Sequence, residues 1–126
     1  MRIIRPATAE DIPFIMATWL RSQYYGSPWF REIPPEVYFA EYRAVVERYL
    51  SNSITMVSCL ATDPDIVLGY SVYSPLGVLR WIYVKKAWRR QGVAKSLFRE
   101  TTTEVSSMSR IGRFLMPATC TFNPFV

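Results

Sequence analysis

The chain has 126 residues, half of them apolar, and carries 15 Lys and Arg against 10 Asp and Glu for a net charge of +5. That length and apolar content describe one folded domain, residues 1–126, able to build a core without disulfide or metal staples, and they exclude a disordered chain. Histidine is absent, which excludes Ser/His/Asp and Cys/His nucleophilic sites, two-His zinc helices and imidazole acid–base chemistry.

In chain order, Arg2 to Arg5 alternates as a strand does and Pro6 ends it. Thr8 or Asp11 caps a helix that sets Ile12, Ile15, Met16, Trp19 and Leu20 on one face, with Pro13 early enough to be tolerated. Ser22 to Pro34 is rich in turn formers and reads as a loop whose aromatics, Tyr24, Tyr25 and Trp29, are free to line a site. Pro35 opens a second helix that carries Phe39, Tyr42, Val46, Tyr49 and Leu50 at helical spacing up to Ser51-Asn52. Three β-rich runs follow: Ile54 to Leu60, Ile66 to Tyr73 after an Asp63-Pro64-Asp65 turn, and Val78 to Val84 after Pro75-Leu76-Gly77. Their short connections predict an antiparallel meander. A third helix runs from Gln91 through Val93, Ala94, Leu97, Phe98, Thr101 and Val105 to near Ser109, and Phe114 to Met116 and Thr119 to Phe122 are candidate final strands. The order βαα-βββ-α-β predicts an α+β domain.

Cys59 and Cys120 have no CxxC spacing, so no metal site or redox pair is expected and a reduced, cytoplasmic setting fits. No apolar run reaches membrane-spanning length, so no membrane is expected as a partner. Charge is unevenly distributed. Residues 1–75 hold 6 basic and 8 acidic side chains, whereas residues 76–126 hold 9 basic and 2 acidic. The anionic partner is therefore expected at the C-terminal part, as a polyphosphate cofactor or as nucleic acid.

One segment within that part carries chemistry: Trp81-Ile82-Tyr83-Val84-Lys85-Lys86-Ala87-Trp88-Arg89-Arg90-Gln91-Gly92-Val93-Ala94-Lys95. It reads as a strand, a basic turn and a helix start rich in small residues. The first amides of a helix lack intrahelical acceptors, and its dipole favours negative charge there. Gly92 and Ala94 permit close approach of phosphate oxygens, and Arg89, Arg90 and Lys95 add charge at the rim. The same residues also allow a purely structural reading: Gly92 as a helix cap, Ala94 as packing, and the cations as a solvated turn. Neither GxxxxGK[ST] nor GxGxxG is present, which excludes P-loop and dinucleotide-fold chemistry.

Arg89-Arg90-Gln91-Gly92-Val93-Ala94 resembles the acetyl-coenzyme A pyrophosphate motif of the GCN5-related N-acetyltransferase family, (Gln/Arg)-x-x-Gly-x-(Gly/Ala). Ile4-Arg5-Pro6-Ala7-Thr8-Ala9-Glu10-Asp11 is similar to that family's first strand and helix start. The resemblance covers roughly residues 1–110 and implies an acyl-CoA N-acyltransferase-like fold, a mixed, mostly antiparallel sheet flanked by helices that splays after the fourth strand. It implies acetyl-CoA as the cofactor, with Ile82, Tyr83 and Val84 beside the pantetheine and Arg89, Arg90, Gln91, Gly92, Val93, Ala94 and Lys95 at the phosphates. An amine acceptor would then approach Tyr24, Tyr25, Trp29 and Arg80.

The sequence departs from the family pattern in two ways. Many members carry a base Glu on the fourth strand, where this chain has Arg80 and Trp81, and no carboxylate lies between Asp65 and Glu100. Members usually continue with a fourth helix bearing an acid Tyr and further strands, for which Ile111 to Val126 is too short. A shortened C-terminus is therefore expected, with Tyr70, Tyr73 and Tyr83 as substitute acids and Tyr83 first among them. The ending Thr121-Phe122-Asn123-Pro124-Phe125-Val126 is similar to that of short phage and prophage acetyltransferase-like proteins, and exposed sheet edges suit a homodimer. The functional expectation is amine acylation. The alternatives are an inactive binding or regulatory protein of the same fold and a DNA-acting variant.

Overall fold

The computed structural model describes residues 1–99, 102, 104, 105, 121 and 122. Its strands are β1 (Arg2–Pro6), β2 (Ile54–Leu60), β3 (Asp63–Tyr73), β4 (Leu79–Val84), β5 (Glu104–Val105) and β6 (Thr121–Phe122). They form one sheet in sequential order: β1 to β4 are antiparallel, while β5 pairs parallel with both β4 and β6. The helices are α1 (Ile12–Gly26), α2 (Pro35–Asn52) and the single-turn α3 (Val93–Leu97). The mixed, mostly antiparallel sheet with flanking helices is the expected α+β class.

α1 and α2 cover one face of the sheet. Ile15, Trp19, Leu20, Tyr38 and Val46 meet Val57, Tyr70, Val72 and Trp81 in the main core, and burying such side chains is worth about 2 kcal/mol each. α3 covers the other face, where Val93 and Leu97 pack on Leu68 and Val84. Before α1, Asp11 accepts hydrogen bonds from the Thr8 amide and hydroxyl and from the Arg5 guanidinium (2.7 and 3.0 Å). This joins β1 to the helix start that Thr8 or Asp11 is expected to cap.

Three boundaries differ from the sequence expectation, and one agrees with it. Ser22 to Gly26 continue α1, because Gln23 and Tyr24 are buried there and the Gln23 side chain accepts from Trp19 Nε1 at 2.9 Å. The β2–β3 reversal falls at Ala61–Thr62, so Asp63, Pro64 and Asp65 belong to β3. Pro75 to Gly77 form the β3–β4 turn as expected, with Gly77 at φ 86°. The third helix stops at Leu97: Phe98 is extended, and Val105 lies in a strand. Three consecutive β-branched residues, Thr101 to Thr103, follow and disfavour helix. Phe114 to Met116, Cys120 and Asn123 to Val126 lie outside the described residues or have no described side chain.

Candidate functional site

β4 is the centre of the site, and an irregularity near its start sets its two faces. Val72 pairs with Trp81 but Tyr73 pairs with Leu79, so Arg80 is an extra residue, a β-bulge. Arg80 and Trp81 consequently share the α1/α2 face. Trp81 stacks on Trp19 (5.8 Å between ring centres), Trp19 on Tyr49 (6.0 Å), and the Arg80 guanidinium lies 4.6 Å from the Tyr49 ring centre. Past the bulge ordinary alternation resumes: Ile82 and Val84 pack on the α3 side, and Tyr83 packs with Phe14 and Tyr70 on the α1 side.

Among the described residues, the outer edge of β4 is paired only at its start. Lys85 donates its amide to Leu68 at 2.8 Å, and with Gly69 opposite Val84 this phase turns the main-chain groups of Tyr83 toward β3. The groups of Ile82 and Val84 then face the β5 side, where β4 and β5 share one register pair, Leu79↔Val105. Arg89 Nε donates to the Val84 carbonyl at 3.0 Å, tying the basic turn to the strand end. An extended molecule carrying amide groups can pair along such an edge as an added strand would.

The basic turn follows immediately. Arg90 and Gly92 both have positive φ, 63° and 83°; the second is a backbone conformation that glycine adopts without strain. Among the described residues a Cβ at Gly92 would have one neighbour within 4 Å, Nη2 of Arg2 at 3.7 Å, so they leave the space above the turn open. Among the described residues no acceptor takes the amides of Gln91, Gly92, Val93, Ala94 and Lys95. Arg89, Arg90 and Lys95 are in no ion pair among the described residues, where the pairs are Arg5–Asp11 and Arg43–Glu47. Val93 is buried and Ala94 packs on the α3 cluster, so these two offer a ligand their main chain; the Gln91 side chain is bound to the Ala87 carbonyl. The residues present therefore fit a phosphate-bearing ligand with an amide-containing arm.

The tyrosines separate by environment. The Tyr70 hydroxyl is fully enclosed between Thr18 Oγ1 (2.8 Å) and the Ile15 carbonyl (3.1 Å), and burial raises its pKa. The Tyr73 hydroxyl pairs with Thr102 Oγ1 at 2.7 Å and accepts the Arg99 amide at 2.9 Å. Tyr83 is half-buried, and its hydroxyl has no hydrogen-bond partner among the described residues. Lys85, two residues on, sets its Nζ 5.1 Å from the Phe14 ring centre, beside which Tyr83 also packs.

The rings of Tyr24 and Tyr25 touch (5.0 Å between centres), but the expected acceptor residues do not line one site. Tyr24 is 4% exposed and donates its hydroxyl to the Ile33 carbonyl at 2.7 Å, which makes it a core residue and corrects its placement on a lining loop. Tyr25 and Trp29 are exposed (59% and 67%) at the end of α1 and in the turn after it. Since α1 sets Phe14 beside Tyr83 and Trp19 beside Trp81, Tyr25 lies about 16 Å farther along the helix axis than Phe14. Sequence reasoning missed Arg2 at the Gly92 turn. A meander of four strands puts the start of the first and the end of the fourth at the same end of the sheet, and that was the available signal.

No family model matches this chain, and no curated protein is similar to it in sequence. Among solved structures 57 chains are similar. One is a Pyrococcus furiosus protein assigned as an acetyl transferase (TM-score 0.62, 18% identity, 77% of this chain and 69% of that one). Another is a GCN5-related N-acetyltransferase from Rhodopseudomonas palustris (0.56, 16%, 77% and 61%). A third, from Corynebacterium glutamicum, is described as a histone acetyltransferase and related acetyltransferase (0.56, 17%, 76% and 67%). The chain thus spans between 61% and 69% of the length of these three structures. It has the fold of the GCN5-related N-acetyltransferases, and no helix among the described residues is long and apolar enough to cross a membrane.

Proposed function

We propose that this chain, with its GCN5-related N-acetyltransferase fold, transfers an acetyl group from acetyl-CoA to an amine. The observation that carries the reading is the conjunction, among the described residues, of an unpaired strand edge at Ile82–Val84 with uncommitted amide donors at Gln91–Lys95 directly beyond its end. When bound, the thioester supplies an activated acyl carbon and a thiol leaving group. The Ile82 and Val84 main chain would pair with the amides of the arm. The amides of Gln91, Gly92, Val93, Ala94 and Lys95, with the Arg89, Arg90 and Lys95 cations, would hold the diphosphate.

The transfer forms a nitrogen–carbon bond as the carbon–sulfur bond breaks, so the amine gives up a proton and the sulfur receives one. Tyr83 is the group we assign to the sulfur, since its hydroxyl alone among the three strand tyrosines is both partly accessible and uncommitted. On its α1/α2 face β4 offers Arg80, Trp81 and Tyr83, with no carboxylate to take the amine proton. That supports attack by an amine that arrives already neutral, with loss of its proton to water. The same observation favours a second reading, a protein that binds acyl-CoA without turnover.

Calorimetry with acetyl-CoA, coupled to thiol release in a screen of amines, tests both. Binding with release is expected; binding without release selects the second reading, and no binding overturns both. Gly92→Glu should abolish binding and leave the protein folded, at a cost of about 1 kcal/mol for a side chain in a left-handed conformation.

A further inference from the structure

We propose that Arg2 is a phosphate ligand, completing from β1 the set of cations on the Arg89–Lys95 turn; the inference rests on the cofactor reading above. Arg2 begins the first strand, some ninety positions from the turn in sequence. The antiparallel order β1 to β4 returns it to the end of the sheet where β4 finishes, with Arg2 opposite Leu60 on β2. Its Nη2 stands 3.7 Å from the position a Cβ would take on Gly92. Its Nη1 is shut off from solvent and has no hydrogen-bond partner among the described residues.

The first fact points to a ligand at Nη2, and the second argues against a structural role for Arg2. A guanidinium N–H withdrawn from water and left unpaired is costly, and the ordinary remedy is a carboxylate or carbonyl, neither of which meets it here. An anionic oxygen over Gly92 would meet Nη2 of Arg2 from one side and the free amides from the other, forming charge-assisted bonds. Arg2 would thus be kept for the bound state at the expense of the free one. A structural arginine would behave in the opposite way.

The test compares wild-type protein with Arg2→Met and Arg2→Lys by thermal unfolding without ligand and by calorimetry with coenzyme A and with phosphate-free pantetheine. Arg2→Met should keep or raise the ligand-free midpoint and lose about tenfold or more in coenzyme A affinity, with pantetheine unaffected. Arg2→Lys, which keeps the charge without the fork, should fall between. Unchanged coenzyme A affinity in Arg2→Met overturns the proposal, however the midpoint moves. A loss shared equally by pantetheine marks a folding effect and also overturns it. If wild-type protein binds no coenzyme A, the cofactor reading fails; if wild type binds and Arg2→Met binds equally, only the role of Arg2 fails.

Discussion

Arg80 and Tyr49 are in face contact, the guanidinium carbon 4.6 Å from the ring centre, at one end of a stack that continues through Trp19 to Trp81. Arg80 and Trp81 are neighbours in sequence yet close the two ends of the same stack, which the bulge alone makes possible. The cation thus fixes α2 against the strand that forms the site. A double-mutant cycle of Arg80→Ala and Tyr49→Leu, read by urea unfolding, should give a coupling of about 0.5–1 kcal/mol. A coupling near zero would mean that the ring does not hold the guanidinium.

Gly69 keeps β3 close to β4 at the site. A Cβ there would come within 2.5 Å of the Tyr83 carbonyl oxygen and 3.2 Å of Val84 Cα, both main chain and unable to swing aside. Gly69→Ala should cost about 1–3 kcal/mol. Because it pushes at the open part of β4, it should also weaken acetyl-CoA binding measured well below the variant's unfolding temperature. Wild-type affinity in this variant would separate the geometry of that strand from binding.

The tyrosines should divide by role. Tyr83→Phe should leave stability unchanged and lower kcat on the order of a hundredfold in an active amine assay. Tyr70→Phe, which leaves Thr18 Oγ1 without its partner hydroxyl, should cost about 1 kcal/mol in stability while the folded variant keeps its turnover. The reverse pattern would move the proton donor to Tyr70.

The Arg5 guanidinium, and the Thr8 amide after it, hold the Asp11 carboxyl below its ordinary value of 3.8, against the opposing effect of burial. A carboxyl with a lower pKa folded than unfolded adds stability in full above the unfolded value, and that contribution drains away as pH falls through the folded one. Asp11→Asn should therefore cost about 2 kcal/mol near pH 7. Urea unfolding across the acid range should show wild type and variant converging below the ordinary Asp value. A difference that persists unchanged at low pH would assign the cost to packing.

Much of the fold was legible because periodicity and turn chemistry agreed. β2 falls on Ile54–Leu60 as expected, and α2 begins at Pro35 and ends at Asn52. Tyr24 was misread because Ser22 to Gly26 has turn composition, whereas burial of Gln23 and Tyr24 carries the helix on. The bulge at Arg80 has no mark in composition; it exists only as a mismatch between two strands. The Gly92 turn was legible from local spacing. Arg2 was not, since its relation to Gly92 passes through three strand pairings that no short window contains.

The spare residue at Arg80 gives β4 two frames, so no single odd–even rule describes which way its side chains point. Removing Arg80 itself would restore a uniform strand with Leu79 still opposite Tyr73, whereas removing a residue between Trp81 and Val84, with Val84 held in register, would turn Trp81 away from Trp19. Grafts or loop exchanges around this strand must preserve its residue count as strictly as its sequence, because parity is what aims the working face.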